Sequence, residues 1–346
     1  MNQSNSGIFG ELKAAFAYIV LVAVFIWLPV VVLIAGQNPI DLFGNGRGLF
    51  AALIFVSGAL LANATAVGGG LVFNPSFQLV LGISGYHSLA LSILVQCAGM
   101  SSGSYGWYRK DAFRPAGSRH LLQMATVTVG ATAVCTLLLL FLMKLLPVAL
   151  LLVMRSAGVF VSIYVFVLVM KSIGNRESHL ELAKLKAHRG DTDGLLEEIH
   201  IIEHMDEGDL GERGTARLKI DRRIFLWIVL GVMLNVSTAV GVGELVFSHL
   251  IKYYDTPPKT AIAVGTLLQA VSVITQAVFI LWFLRELIVV DLVCIGLLFC
   301  VVGGRLAPLL MTRRKVEPFA KPILAYTALG MGLTTAFLLF SNFFPA

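Results

Sequence analysis

The sequence predicts an all-α polytopic membrane protein with about nine full transmembrane helices and two short broken or re-entrant helices, in two inverted-topology repeats. Three observations predict this fold class. Hydrophobic residues make up 57% of the 346 residues and charged residues only 13%, about half of the roughly 25% that a soluble domain carries. Nine apolar stretches are long enough to cross a bilayer. Two glycine clusters recur at one fixed offset along the chain.

The nine apolar stretches have the length that a bilayer requires, since a hydrocarbon core of about 30 Å takes about 20 helical residues to cross. They are residues 16–36, 48–67, 85–108, 120–143, 147–172, 223–242, 258–284, 287–311 and 318–341. Two further apolar stretches, 71–83 and 244–254, are too short to span, and each follows a glycine cluster. Because glycine interrupts a helix where no water replaces the lost hydrogen bonds, these stretches are predicted to be broken or re-entrant helices.

The two glycine clusters belong to an internal repeat. A shift of 173 residues places Gly68–Gly70 on Gly241–Gly243 and Gln96 on Gln269 without a gap. Basic loops mark the cytoplasmic side of a membrane. The loop at 109–119 carries four basic residues and one acidic residue, whereas its counterpart in the second half is the neutral pair 285–286. The two halves are therefore predicted to have opposite orientations, with 109–119 in the cytoplasm and 285–286 outside.

Charge also divides the chain into four segments. Residues 174–222 hold 12 acidic and 8 basic residues, which is typical of a solvated cytoplasmic loop. The predicted segments are 1–47, an N-terminal tail with the first transmembrane helix; 48–173, the first membrane repeat; 174–222, the charged loop; and 223–346, the second repeat. With so apolar a body, the sequence pI of about 9.2 does not indicate a nucleic-acid binder.

Polar residues surround both glycine clusters in otherwise apolar sequence. Glycine lets backbone N–H groups approach an oxyanion closely, and a helix N-terminus adds a favourable dipole. In transporters with inverted repeats, such broken helices form the substrate site near the midplane. The alternative is that glycine and small polar residues only allow close helix packing. The predicted substrate-binding residues are Asn63, Thr65, Gly68, Gly69, Gly70, Asn74 and Gln96 in the first half, and Asn235, Ser237, Gly241, Gly243 and Gln269 in the second.

Three ionisable residues are candidates for coupling or for charge neutralisation, since such groups inside a bilayer are functional candidates. Glu244 follows the second glycine cluster directly and is predicted to carry a proton, with Arg155 and His249 as further candidates. The alternative is that Glu244 pairs with Arg155 or His249 only to hold the break together. Arg305 is expected to extend to the cytoplasmic surface.

Two motifs resemble catalytic patterns but lie in the wrong context. Gly99–Gly103 fits G-x-S-x-G, centred on Ser101, but that nucleophile needs a preceding strand and here falls within a predicted helix. His200 and His204 fit the H-x-x-E-H pattern of zinc peptidases, in a loop where solvated histidines are the simpler interpretation. We therefore expect no enzyme activity, no metal site and no cofactor.

The glycine-rich motifs resemble the signatures of the TauE/SafE family of sulfite and organosulfonate exporters. The first signature is similar to Ala66–Pro75, the second to Gly241–Phe247, and the glycine-rich penultimate helix to Gly303–Ala307. The resemblance covers residues 48–173 and 223–340. It departs from the family at Glu244, where a further glycine is frequent, and at Ser248-His249, where a proline is usual.

The resemblance implies a secondary transporter of small sulfur-containing anions, such as sulfite or organosulfonates including sulfoacetate, in the bacterial inner membrane. We expect transport to be linked to protons or driven by the membrane potential, with lipid and the anion as partners and no nucleic acid. Two alternatives stay open from the residues themselves. One is an anion channel on the same repeat fold, and the other is an integral membrane metallo- or serine hydrolase.

Overall fold

The protein is described here by a computed structural model, in which six stretches of chain carry the architecture. They are residues 15–23, 46–65, 68–145, 222–238, 241–254 and 258–311, with residue 256 and isolated positions in 153–167 and 330–336. All regular secondary structure in these residues is helical, which confirms the all-α prediction for this part of the chain. Residues 174–221, Arg155, His200 and His204 lie outside it.

Residues 15–22 are helical, and eight further α-helices follow from residue 46 onward. They are α1 (Gly46–Thr65), α2 (Gly70–Leu79), α3 (Gly85–Tyr108), α4 (Ser118–Leu145), α5 (Arg222–Thr238), α6 (Val242–Tyr254), α7 (Pro258–Phe283) and α8 (Val290–Met311). Two 3-10 turns, Arg114–Ala116 and Arg285–Leu287, precede α4 and α8. The two short helices α2 and α6 begin at the glycine clusters, as the sequence predicts.

Four of these helices are long and apolar enough to cross a membrane. The qualifying segments are Gly48–Thr65 in α1, Ser118–Met143 in α4, Lys259–Phe283 in α7 and Val290–Met311, which is α8. They match four of the nine predicted spans. The predicted spans 147–172 and 318–341, and most of 16–36, fall outside the described stretches. The described part of the chain is thus a helical bundle with the dimensions of a membrane protein.

Helix α3 is long enough to span but is more polar than these four, because protein surrounds it. It packs against α8, α7, α2 and α1, and 16 of its 24 residues are buried, including four serines and three glycines. A helix enclosed by other helices can carry polar residues, since its neighbours and not lipid form its environment.

The helices form two groups that each contain one of the short helices. In the first group, α2 packs against α1 and α3. Its Phe73 and Phe77, stacked at 5.6 Å, share an apolar cluster with Phe55 of α1 and with residues of α8. In the second group, α6 lies with α4, α5 and α7 around Ile228 and Val246. Among the described long helices, the last of each half therefore packs in the group of the other half, since α8 joins the first group and α4 joins the second.

Glycines allow the backbones of α1, α3 and α8 to touch. A Cβ atom added at Gly304 would overlap the carbonyl oxygen of Gly99, and one added at Gly303 would overlap the carbonyl oxygen of Val56. At Gly99 it would lie 3.2 Å from the Cβ of Cys300. The G-x-S-x-G sequence around Ser101 thus lies inside α3, where its first glycine serves helix packing.

Candidate functional site

The first glycine break leads from α1 into α2. The N–H groups of Val72 and Phe73 donate to the carbonyl oxygen of Gly69 at 3.0 and 2.8 Å, which closes the first turn of the short helix. A Cβ atom at Gly69 would lie 2.7 Å from the Phe73 ring and 3.0 Å from Cγ of Gln96. The break therefore lies directly against α3, and glycine permits that approach.

The second glycine break, between α5 and α6, requires glycine for two reasons. Gly241 has a φ of 144°, a backbone conformation that L side chains rarely adopt. A Cβ atom there would also lie 2.7 Å from the carbonyl oxygen of Gly231 and 2.8 Å from Cβ of Leu234. The N–H of Leu245 donates to the carbonyl oxygen of Gly241 at 3.0 Å, so α6 starts immediately after the break.

The carboxylate of Glu244 joins the two breaks. The N–H of Gly68 donates to its Oε1, and the N–H of Gly241 donates to its Oε2 at 2.8 Å. Glu244 is only 2% exposed and lies in the first turn of α6, where free N–H groups and the helix dipole favour a negative charge. Backbone donors from both halves of the chain thus converge on one buried carboxyl group. We call this arrangement of Gly68, Gly241 and Glu244 the glycine junction.

Buried amides extend the glycine junction on the side of α5 and α7. The N–H of Gly243 donates to Oε1 of Gln269 at 3.3 Å, and Nε2 of Gln269 donates to Oδ1 of Asn235 at 2.5 Å. Both amide side chains are fully buried. The structure therefore brings three predicted site residues of the second half, Gly243, Gln269 and Asn235, into one hydrogen-bonded set.

Gln96 is the corresponding amide of the first half. Its Nε2 donates to the carbonyl oxygen of Ser92 at 3.2 Å and to the Ser92 hydroxyl at 3.0 Å. Its Oε1 is buried and accepts no hydrogen bond from any residue that the structure describes. A buried amide oxygen without a donor costs free energy. A polar side chain with unused capacity therefore lies beside the first break.

Four other predicted site residues form hydrogen bonds within or between helices instead. Asn63 donates to the carbonyl oxygens of Ala59 and Gly99, and Thr65 and Ser237 donate to carbonyl oxygens of their own helices. Asn74 accepts from the Ser88 hydroxyl at 3.0 Å and so connects α2 to α3. These contacts match the helix-packing alternative for Asn63, Thr65, Asn74 and Ser237. Gly70, the remaining candidate, is the first residue of α2.

Of the two cationic partners predicted for Glu244, Arg155 lies outside the described residues, and His249 lies on another face of α6. His249 is buried among aromatic rings, with ring centroids 4.7 Å from Tyr253 and 5.5 Å from Trp227. Five residues along a helix correspond to about 140° of rotation, so His249 and Glu244 lie on different faces of α6. The expectation that Arg305 reaches the cytoplasmic surface is wrong. Its side chain is 6% exposed and its guanidinium lies 5.1 Å from the Tyr105 ring centroid.

The structure also reveals a set of buried polar residues on α4 and α7 that the motif analysis does not select. On α4 they are Thr128, Thr132 and Thr136, and on α7 they are Ser272 and Gln276, in line with Gln269. Spacings of three and four residues place side chains on one face of a helix. That periodicity is the signal by which the sequence could have identified them.

The fold and the glycine junction together place the protein in the class of helical proteins with membrane-length helices. At its buried centre, backbone N–H groups from two helix breaks converge on one side chain. Comparison of the chain with known protein families, characterised proteins and solved structures finds no match. Within the described stretches, no three His, Cys, Asp or Glu side chains group closely enough to hold a metal ion.

Proposed function

We propose that the protein is a secondary transporter of a small oxyanion, with the substrate site at the glycine junction. The observation that carries this proposal is the convergence of the Gly68 and Gly241 N–H groups on a single buried carboxylate. Two backbone donors from separate breaks, aided by a helix N-terminus, form an anion-binding arrangement that needs no basic side chain.

In this proposal, the Glu244 carboxylate is a built-in anion that competes with the substrate. The donors that hold its two oxygens can equally hold two oxygens of a sulfite or sulfonate group. When Glu244 takes up a proton, it loses its negative charge and one of its two acceptors, and the donors become available. Proton binding and substrate binding then favour each other, which is the linkage that proton-coupled transport requires.

The resemblance to the TauE/SafE signatures supports the choice of sulfur-containing anions, among them sulfite and organosulfonates such as sulfoacetate. The signature residues Gly68–Gly70 and Gly241–Gly243 are the ones that flank the junction. We propose the bacterial inner membrane as the location, with nine spans in two inverted repeats. The exchange of α4 and α8 between the two helix groups supports that symmetry, since each half contributes one long helix, at the corresponding position of the repeat, to the group of the other half.

An anion channel on the same fold is the second candidate, and uptake experiments separate the two. The purified protein is reconstituted into liposomes that contain unlabelled sulfite, sulfoacetate, taurine or sulfate, and entry of the labelled anion is measured. A carrier gives counterflow, in which an unlabelled anion on one side drives accumulation of the labelled anion, and its rate saturates. A channel gives flux without counterflow. Absence of uptake for all four anions, with folded protein in the liposomes, contradicts an oxyanion transporter.

A further inference from the structure

An exposed basic face lies at the end of the bundle where α3 leads into α4. The tight turn between these helices and the first residues of α5 are neighbours there, because Ala116 of the turn and Ile224 of α5 are buried in the same apolar cluster. Both parts carry exposed arginines. They are Arg109, Arg114, Arg119, Arg222 and Arg223, and we call this set the basic face.

Backbone hydrogen bonds fix the turn that carries most of the basic face. The N–H of Arg114 donates to the carbonyl oxygen of Asp111, and the N–H of Ala116 donates to that of Phe113, both at 3.1 Å. Gly117 then has a φ of 72°, which turns the chain into α4. The arginines of the turn are thus held at one place on the bundle, so a partner of opposite charge need not order their backbone.

Acidic residues do not balance the basic face in the part of the chain that the structure describes. Asp111 is the only acidic residue described at this end of the bundle. Of the other described acidic residues, Glu244 is at the glycine junction, and Glu286 and Asp291 lie at the opposite end, where α7 ends beside Tyr86 of α3. Helix α3 has 24 residues, so about 36 Å separate the two ends. The described basic face therefore carries five positive charges against one negative charge.

An acidic segment of the same chain has the charge that complements the basic face. Residues 191–212, which lie outside the described stretches, contain nine acidic residues and no Lys or Arg. Such a run of like charges is typical of interaction segments. Only the nine residues 213–221 separate it from Arg222 of the basic face, and nine residues span at most about 32 Å. This short tether gives the acidic segment a high local concentration at the basic face.

We propose that residues 191–212 bind to the basic face, which makes the acidic segment a built-in partner of this surface. Arginine suits such a partner, because a guanidinium group binds a carboxylate through two parallel hydrogen bonds. In the predicted orientation the basic face is cytoplasmic, where anionic lipid headgroups compete with the segment for the arginines. Binding through exposed charges weakens as salt rises. The inference does not depend on the proposed transport function, and its test needs no anion uptake.

Carbodiimide cross-linking tests whether the acidic segment contacts the basic face. The reagent joins an amine directly to a carboxylate, so each link requires contact. Arg114→Lys places an amine on the basic face without a change of charge, and Arg285→Lys is the matched control at an exposed position of the opposite end. Each full-length variant is placed in phosphatidylcholine nanodiscs, and links to residues 191–212 are quantified by mass spectrometry.

We expect at least about tenfold more links from position 114 than from position 285 at about 0.1 M salt, where charges act over about 10 Å. At about 1 M salt this distance is about 3 Å, and the ratio of links should fall at least about threefold. Similar numbers of links from the two positions at low salt would overturn the proposal. A high ratio that salt leaves unchanged would exclude binding through charge and overturn it as well.

Charge reversal provides a second measurement, with Arg114→Glu and Arg285→Glu as the matched pair. A protease that cleaves after glutamate reports how accessible residues 191–212 are in the full-length protein. Arg114→Glu should speed cleavage within that segment about threefold, the effect of roughly one exposed ion pair, and Arg285→Glu should leave it at the wild-type rate. Equal cleavage of the two variants contradicts the proposal. If Arg114→Glu instead lowers the amount of copurified phosphatidylglycerol and leaves cleavage unchanged, the basic face binds anionic lipid and the proposal fails.

Discussion

Among single residues, Glu244 distinguishes this chain most clearly from a simple broken-helix protein. The resemblance leads one to expect a further glycine at its position. Here a carboxylate takes the donors of both breaks, Gly68 and Gly241. The same atoms that would bind a substrate are thus already satisfied internally. A ligand can gain them only when the side chain moves or loses its charge, which makes Glu244 the residue to test first.

We expect Glu244→Gln to abolish the pH dependence of anion uptake. In the wild type, binding should weaken as pH rises, because the deprotonated carboxylate occupies the donors. A carboxamide carries no charge and replaces one of the two acceptor oxygens with a donor NH₂ group. The variant should therefore bind the anion at every pH as the wild type does at low pH. Uptake into proteoliposomes across a pH series provides the measurement.

Glu286→Gln is the matched control, because Glu286 is an exposed carboxylate in the turn before α8, and it should keep the wild-type pH profile. A well-folded Glu244→Gln protein with the wild-type pH response would disprove the coupling role. A variant that chiefly loses folded yield would instead support a structural role in holding the breaks together.

Gly241→Ala should destabilise the protein by about 2 kcal/mol or more, because strain from the unusual φ adds to overlap with Gly231 and Leu234. Gly82→Ala is the control for strain alone. It also has a positive φ, 64°, but nothing lies within 4 Å of the added Cβ, so its cost should be about 1 kcal/mol. Thermal unfolding in detergent measures both variants. Equal loss of stability would show that the close approach at Gly241 contributes nothing.

At the scale of the helices, α4 and α8 pack in different ways, although both are apolar enough to span a membrane. Helix α8 is inserted between α1 and α3, with glycines at its contacts. Helix α4 instead presents most of its surface outward and buries a narrow row that includes Met124, Thr128 and Thr132. Glycine contacts therefore fix α8 between α1 and α3, whereas α4 contacts α5 and α7 along this row and the apolar residues beside it.

Gly304→Ala tests the tight packing of α8. The added Cβ overlaps the backbone of Gly99, which cannot move without separating α3 from α8, so we expect a loss of about 1–3 kcal/mol in stability. Gly130→Ala on α4 meets nothing within 4 Å and should be neutral or slightly stabilising, since alanine favours helix. Thermal unfolding of the two variants side by side checks this. A Gly304→Ala protein as stable as the wild type would mean that the helices are not in backbone contact.

At the scale of the whole molecule, the two halves meet at one carboxylate and exchange helices α4 and α8. In the proposed transporter, alternating access would move one part of the bundle against the other about this central site. It requires that corresponding loops face opposite sides of the membrane. The loops to compare are the one that contains Arg114 and its counterpart at Arg285.

We therefore expect Arg114→Cys to react with an impermeant thiol reagent only from the cytoplasmic side, and Arg285→Cys only from the outside. Basic residues remain in the cytoplasm during insertion, and the loop at 109–119 is the basic one. Cysteines placed in the loops at 174–222 and 312–317 should react from the cytoplasmic side too, as Arg114→Cys does. Labelling of positions 114 and 285 from the same side would contradict the inverted orientation of the two halves.

The sequence by itself determined the parts of this protein that local chemistry controls. Apolar length predicted α1, α3, α4, α7 and α8 nearly to the residue, because a helix in lipid must satisfy its own backbone. The glycine clusters predicted where α2 and α6 begin. The internal repeat also placed Gln96 and Gln269 at matching positions of the two halves. In the structure, each of them lies beside a glycine break.

Only the tertiary structure decided which polar groups meet. Glu244 lies 176 residues from Gly68, and no local pattern states that its carboxylate accepts from that N–H. Asn63 and Ser237 are, like Asn235, polar residues in apolar sequence, yet they donate to carbonyl oxygens of their own or a neighbouring helix. Asn235 instead accepts from Gln269 beside the glycine junction. A polar side chain in an apolar bundle must find some partner, but its identity depends on how the helices are rotated and packed. Three-dimensional packing therefore selects the site from a larger set of candidates that sequence alone cannot separate.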